Sequence, residues 1–107
     1  MRHRRRVYVT GMGVVTPIGI GVEATWRSLV EARCGVRGIT RFDPTGFPCR
    51  IAGEIPDEVL GLAIGDWFPK RLDRYSILAL VAAREAWADS GLELDAAASR
   101  RAGVVLG

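Results

Sequence analysis

Residues 77–83 read ILALVAA, and this run is apolar on every face of a helix. It lies at the centre of residues 69–90, where Pro69 suits the first helical position and Gly91 suits the residue after the last turn. A surface helix has one apolar stripe, whereas a helix that is apolar all round is buried. The run therefore predicts a helix over 69–90 with protein on several sides, as in the middle layer of a layered α/β fold.

The N-terminal part of the sequence has the pattern of a strand followed by a close backbone contact. Residues 6–10 are β-branched and aromatic and predict a strand that stops at Gly11. Glycine permits both sharp turns and close approach, so Gly11 and Gly13 predict a passage where one backbone lies against another.

Residues 22–32 predict an amphipathic helix, with Gly35 as its C-terminal cap. Its apolar positions follow helical spacing and are Trp26, Leu29 and Val30. Such a stripe is expected to face the core.

Between residues 35 and 68 the sequence is irregular and rich in Gly, Pro and Asp. Within it, residues 50–55 predict a short strand, and residues 57–62 predict one or two helical turns that Pro56 begins. Residues 103–107 (GVVLG) predict a second core strand. Because no helix follows to cover that strand, we expect further protein or a partner to do so.

Composition limits the class of protein. The 107 residues are 49% hydrophobic and 25% charged, which is typical of a small globular domain. No apolar run approaches the roughly 20 residues that span a bilayer. The basic residues 1–6 precede an apolar segment too short and too broken by glycine for a secretion signal, so we expect a cytoplasmic protein without a membrane partner. The net charge of +3 comes largely from this tail, which lacks the aromatic interleaving of a nucleic-acid surface.

The two cysteines, Cys34 and Cys49, have no metal-binding spacing, and the single histidine, His3, lies in the basic tail. We therefore predict no metal site and interpret both cysteines as structural thiols, with a disulfide left open.

The order of short motifs along the chain is more informative than any one of them. Residues 7–19 (VYVTGMGVVTPIG) resemble the opening strand and loop of elongating β-ketoacyl-[acyl carrier protein] synthases of fatty-acid and polyketide synthesis. The resemblance continues, in order, through residues 26–30 (WRSLV), 35–36 (GV), 42–43 (FD), 51–54 (IAGE), 71–76 (RLDRYS), 82–87 (AAREAW), 89–92 (DSGL) and 103–107 (GVVLG).

The resemblance implies a thiolase-like α/β fold, of which residues 1–107 form an N-terminal portion without a linker. It also implies that the full protein has α-β-α-β-α layers and works as a homodimer or family heterodimer. Acyl carrier protein is the implied partner, and no metal or organic cofactor is expected.

In this family the chemistry depends on an activated cysteine and two histidines. By the resemblance all three lie downstream of the residues seen here, and neither Cys34 nor Cys49 matches the nucleophile. No catalytic residue is therefore assigned. One binding role is implied: Lys70 and Arg71 fall at the start of the central helix, where basic residues dock the acidic carrier protein.

Three other hypotheses about the function remain open. The chain fits a non-catalytic, chain-length-factor-like family member, or an inactive remnant that acts as a structural piece. A dinucleotide-binding domain is the weakest alternative, because Gly11 and Gly13 are followed by Thr16 where the third glycine belongs.

Overall fold

The computed structural model describes residues 4–67 and 71–106. In chain order the elements are β1 (Val15–Thr16), β2 (Gly19–Ile20), α1 (Val22–Val30), β3 (Val36–Gly38), β4 (Ile51–Gly53), α2 (Asp57–Ile64), a 3-10 turn (Gly65–Trp67), α3 (Arg74–Ser90) and α4 (Ala96–Ser99). The short strand predicted within residues 50–55 is confirmed by β4, and the helical turns over 57–62 are confirmed by α2, for which Pro56 is the N-cap.

The strands form two separate antiparallel ribbons. In the first, β1 pairs with β2 through a tight turn, with Val15 opposite Ile20. In the second, β3 pairs with β4, with Val36 opposite Gly53 and Gly38 opposite Ile51. The second ribbon carries a long connection between its strands, which holds the edge-to-face ring pair of Phe42 and Phe47.

The backbone of residues 11–13 lies directly on α3, as its glycines predict. A Cβ atom added at Gly11 would lie 2.1 Å from the carbonyl oxygen of Ala86, and one at Gly13 would lie 1.8 Å from that of Ala82. No side chain fits at such distances, so this contact requires glycine on the extended segment. The alanines of α3 have short side chains, so the extended segment can approach the helix backbone closely.

The orientation of α1 is the reverse of the predicted one. Trp26 is 65% exposed, and the buried residues of the helix are Thr25 and Ser28. Their hydroxyl groups donate to backbone carbonyls of the β1–β2 turn, from Thr25 to Gly19 at 3.1 Å and from Ser28 to Ile18 at 2.7 Å. These hydrogen bonds satisfy the buried hydroxyls and fix the polar side inward.

The predicted cap at Gly35 is also wrong. Helix α1 ends at Val30 with Glu31 as its C-cap, and the left-handed residue that follows is Ala32, with φ 54°. Gly35 instead allows close packing, because a Cβ there would lie 2.7 Å from Cγ2 of Ile18 and 2.8 Å from Cβ of Pro17.

The predicted strands at the two ends of the chain are not formed among the described residues. Residues 4–14 and 102–106 have no regular secondary structure, and Val7 and Val105 are 91% and 95% exposed. A strand needs a neighbouring extended strand to pair with, and among the described residues neither segment is paired with one. The radius of gyration of 17.7 Å accordingly exceeds the ~13 Å of a compact domain of this size.

Helix α3 is shorter and less buried than predicted. It begins at Arg74, whereas the predicted first position, Pro69, lies outside the described residues. Its apolar side chains are half-buried or exposed, and none is fully buried. The expected end is confirmed, because Gly91 adopts the left-handed conformation with φ 61°. Among the described residues, no helix is long and apolar enough to cross a membrane.

Candidate functional site

The predicted docking residues lie before the first turn of α3. Arg71 is exposed and, within residues 4–67 and 71–106, makes no ion pair. Lys70 lies outside the described residues. Because α3 begins at Arg74, Arg71 belongs to the segment that leads into the helix and not to the helix itself. Asp73 is the N-cap, with an extended backbone (φ −64°, ψ 152°).

Arg74, the first residue of α3, anchors the helix start to the rest of the chain. Its guanidinium donates to the carboxylate of Asp57 and to the carbonyl oxygen of Ile55. The same carboxylate oxygen of Asp57 accepts from Arg41 at 2.9 Å. Asp57 is the first residue of α2, so one carboxylate joins the starts of both helices to the chain after β3.

The two guanidinium groups determine the ionisation of this carboxylate. The hydrogen bond from Arg74, followed by that from Arg41, holds the pKa of Asp57 below its usual value. The Asp57 side chain is 68% exposed, so water weakens both ion pairs and their net stabilisation is small.

A second carboxylate, Glu54, organises the chain between the strands of the second ribbon. It accepts the Thr40 hydroxyl at 2.8 Å, the Thr40 backbone N–H at 3.0 Å and the Arg41 backbone N–H at 3.1 Å. The Thr40 hydroxyl is the main cause of a lowered Glu54 pKa. Glu54 thereby fixes Arg41, which in turn reaches Asp57.

A pocket of about 440 Å³ opens beside these groups. It is lined by Pro17, Gly35, Arg37, Gly38, Thr40, Arg41, Glu54, Ile55, Pro56, Asp57 and Glu58. Of the charged lining residues, Arg41, Glu54 and Asp57 belong to the hydrogen-bond network just described. The other two are Arg37 and Glu58. The lining thus includes three carboxylates and two guanidinium groups, and the three carboxylates do not form a metal-binding cluster among the described residues.

The C-terminal half of α3 holds the N-terminal segment through two carboxylates one turn apart. Glu85 accepts the backbone N–H of Val14 at 2.9 Å and that of Val22 at 2.7 Å, and Asp89 accepts that of Met12 at 2.9 Å. Val22 is the first residue of α1, whose N-cap is Gly21, which has no side chain to cap the helix. Glu85 therefore supplies from another helix the acceptor that the N-terminus of α1 lacks.

This role of Glu85 was not predicted from the sequence. The signal was present, because a glycine at an N-cap leaves backbone donors without a local acceptor. An acidic residue near the end of a helix that is predicted to be buried is a suitable distant acceptor.

The cysteines take no part in a catalytic arrangement within the described residues. Cys34 and Cys49 are free and exposed, so the disulfide that the sequence left open is not formed. Their Sγ atoms face the backbone oxygens of Val36 and Ile51 at 3.6 and 3.4 Å. The strand register places them at opposite ends of the second ribbon. His3 lies outside the described residues.

Comparison with known proteins identifies the family. The model of the β-ketoacyl synthase N-terminal domain matches residues 4–107. The chain belongs to this family.

Individual ketosynthases agree with this assignment over nearly the whole chain. It is 40% identical over 104 residues to 3-oxoacyl-[acyl-carrier-protein] synthase 2 of Coxiella burnetii, covering 97% of this chain and 25% of that protein. It is 48% identical over 103 residues to a putative polyketide β-ketoacyl synthase 1 of Streptomyces cyaneus, covering 96% and 24%.

A solved structure shows that the relationship also holds for the fold. The ishigamide ketosynthase/chain length factor superposes with a TM-score of 0.69 at 43% identity, covering 84% of this chain and 22% of that one. The fold is therefore that of a thiolase-like ketosynthase N-terminal domain, as the motifs predicted. The chain spans about a quarter of the length of the curated relatives it matches.

Proposed function

We propose that the protein to which this chain belongs is a β-ketoacyl-[acyl carrier protein] synthase of fatty-acid or polyketide synthesis, acting in the cytoplasm. The observation that carries the proposal is the match, in order and over nearly the whole chain, to proteins named as such synthases. Residues 1–107 would then be one portion of the N-terminal domain, and the complete protein a homodimer or family heterodimer.

The reaction is a decarboxylative Claisen condensation without a metal or organic cofactor. An acyl group first passes from carrier-protein thiol to an enzyme cysteine. Malonyl-carrier protein then loses CO2, and the carbanion left on its α-carbon attacks the acyl carbonyl. The cysteine thiolate leaves as the new carbon–carbon bond forms. None of the described residues supplies the cysteine and histidine for these steps, so this chain contributes scaffold and carrier binding.

The test uses the full protein with acyl- and malonyl-carrier protein, and mass spectrometry of the carrier-bound products. We expect a 3-oxoacyl product two carbons longer than the acyl substrate, with release of CO2. No product from the protein alone, but product after a ketosynthase partner is added, would favour the chain-length-factor alternative. The gene offers the matching check, because the catalytic position holds cysteine in the first case and a residue such as glutamine in the second.

We propose further that Arg71, together with Lys70, docks the acidic carrier protein. Support comes from the exposure of Arg71 and from the absence of any ion pair on it among the described residues. A free cation at the surface attracts an acidic partner and increases the association rate.

Charge reversal at Arg71 tests docking. Arg71→Glu is expected to raise the Kd for carrier protein by about tenfold at low salt, because attraction becomes repulsion. Arg100→Glu makes the same charge change at another exposed arginine and is expected to leave the Kd near its original value. Equal effects of the two substitutions would show that only net charge matters and would refute a docking site at Arg71.

A further inference from the structure

The first residue of α3 contacts one carboxylate, that of Asp57. Asp73 makes no side-chain capping hydrogen bond, and the first turn of the helix contains no acidic residue. The contacts of Glu85 and Asp89 hold the opposite end of the helix. Within the described ranges, the first turn is therefore attached through the hydrogen bonds of Arg74 to Asp57 and to the Ile55 carbonyl.

Arg71 lies three residues before Arg74, on a segment that enters the helix through an extended N-cap. A shift of Arg74 would carry this segment with it. Asp57 is itself fixed, since it begins α2 and also accepts from Arg41 at 2.9 Å. The segment that carries Arg71 is thus joined, through Arg74, to a carboxylate that belongs to another helix.

The charge of Asp57 acts on an acidic partner in two opposite ways. Its negative charge offsets Arg41 and Arg74, so its removal leaves the surface more positive and, by Coulomb attraction alone, strengthens binding. If its hydrogen bonds hold Arg71 in place, its removal weakens binding. The sign of the change therefore separates the two effects.

We propose that Asp57 is a positioning residue for carrier-protein docking, acting on Arg71 through Arg74. This inference rests on the proposed docking role of Arg71. Asp57 does not itself touch the partner, and its contribution is to hold the cation where the acidic surface meets it.

The experiment measures the Kd of the full protein for an acyl carrier protein, at low and at physiological salt. Asp57→Asn is expected to raise the Kd about threefold, although it makes the protein more positive. Glu58→Gln is the matched control: it is the next residue, lies in the same first turn of α2 and makes no ion pair among the described residues. It changes the charge equally, and we expect an unchanged or slightly lower Kd.

A second variant separates positioning from loss of fold. Arg74→Lys keeps the charge but lacks the planar group that reaches Asp57 and Ile55 together, so it is also expected to raise the Kd. A weaker Kd is assigned to positioning where thermal unfolding of the variant matches that of the original protein. Asp57→Glu keeps the carboxylate and should therefore bind carrier protein more tightly than Asp57→Asn.

Two outcomes are distinguishable. If Arg71→Glu weakens binding while Asp57→Asn and Arg74→Lys bind as tightly as the control, the positioning role is refuted and docking stands. If Arg71→Glu has no effect, the docking site itself is refuted, and the inference with it.

Discussion

The two ends of α3 are attached to the molecule by different physical means. At the C-terminal half, glycine backbone lies on alanine backbone, and two carboxylates accept three backbone N–H groups. At the N-terminal end, Arg74 reaches an exposed Asp57 that it shares with Arg41. The first attachment is steric and mostly to backbone, whereas the second comes from one guanidinium group, which pairs with a carboxylate and donates to the Ile55 carbonyl oxygen.

The difference predicts which conditions break each attachment. A backbone contact at van der Waals distance tolerates no added atom but does not respond to salt. An exposed ion pair tolerates side-chain substitution with little loss of stability, and it weakens with salt and acid. We therefore expect the C-terminal half of α3 to hold the fold of this chain, and the start of α3 to tolerate substitution.

The largest effect is expected from Gly13→Ala. Its methyl group would lie 1.8 Å from the Ala82 carbonyl oxygen, so the N-terminal segment must leave the helix. We expect a loss of about 3 kcal/mol or more in the free energy of unfolding, at the upper end for overpacked sites. Urea denaturation measures it.

Gly61→Ala is the control for this substitution. Gly61 lies inside α2, and nothing lies within 4 Å of an added Cβ. Alanine there should stabilise the protein by up to ~1 kcal/mol, because it is the better helix former. Equal losses at the two glycines would show that the close contact on α3 does not hold the fold.

Replacing the distant cap is expected to have the next largest effect. Glu85→Ala leaves the N–H groups of Val14 and Val22 without their acceptor, which costs about 1–3 kcal/mol. Glu85→Gln keeps one acceptor oxygen and should lose less. Glu93→Ala, in the loop after α3, serves as the control and should unfold like the original protein. An equally stable Glu85→Ala variant would exclude the capping role.

Acid should weaken the attachment at the N-terminal end of α3, and we expect this loss of stability to be the smallest of the effects. The pKa values of Glu54 and Asp57 are lowered in the folded protein, so their stabilisation is complete above the ordinary carboxyl pKa. It is lost as the pH falls from that value through the lowered one, where both groups become protonated. Thermal unfolding between neutral pH and pH 3 measures this loss.

The double variant Glu54→Gln with Asp57→Asn sharpens the acid experiment. It lacks both titrating groups, so its melting temperature should fall less steeply over the same range. A curve parallel to that of the original protein would place the acid-sensitive groups elsewhere.

Local rules predicted the local features of this fold. The glycines at 11 and 13, the end of α3 at Gly91, and the short helix after Pro56 follow from backbone sterics that the sequence displays directly. The family, too, was recognisable from the order of its motifs.

Features that depend on distant partners were missed. The apolar stripe of α1 was assigned to the core, but Thr25 and Ser28 face inward because the β1–β2 turn offers them carbonyl oxygens. Residues 6–10 have strand composition, yet no described backbone pairs with them. Of the docking pair, the structure places Arg71 on an exposed approach to α3, and docking itself stays a prediction.

The positions of the two cysteines have a practical consequence. They are free, exposed and at opposite ends of the β3–β4 ribbon, and they are the only cysteines in the 107-residue sequence. Spin labels attached to Cys34 and Cys49, in a full protein whose other cysteines are replaced by serine, would measure a distance along this ribbon. The interspin distance distribution, recorded with and without carrier protein, would report whether the ribbon beside Asp57 keeps its length and rigidity when a partner binds.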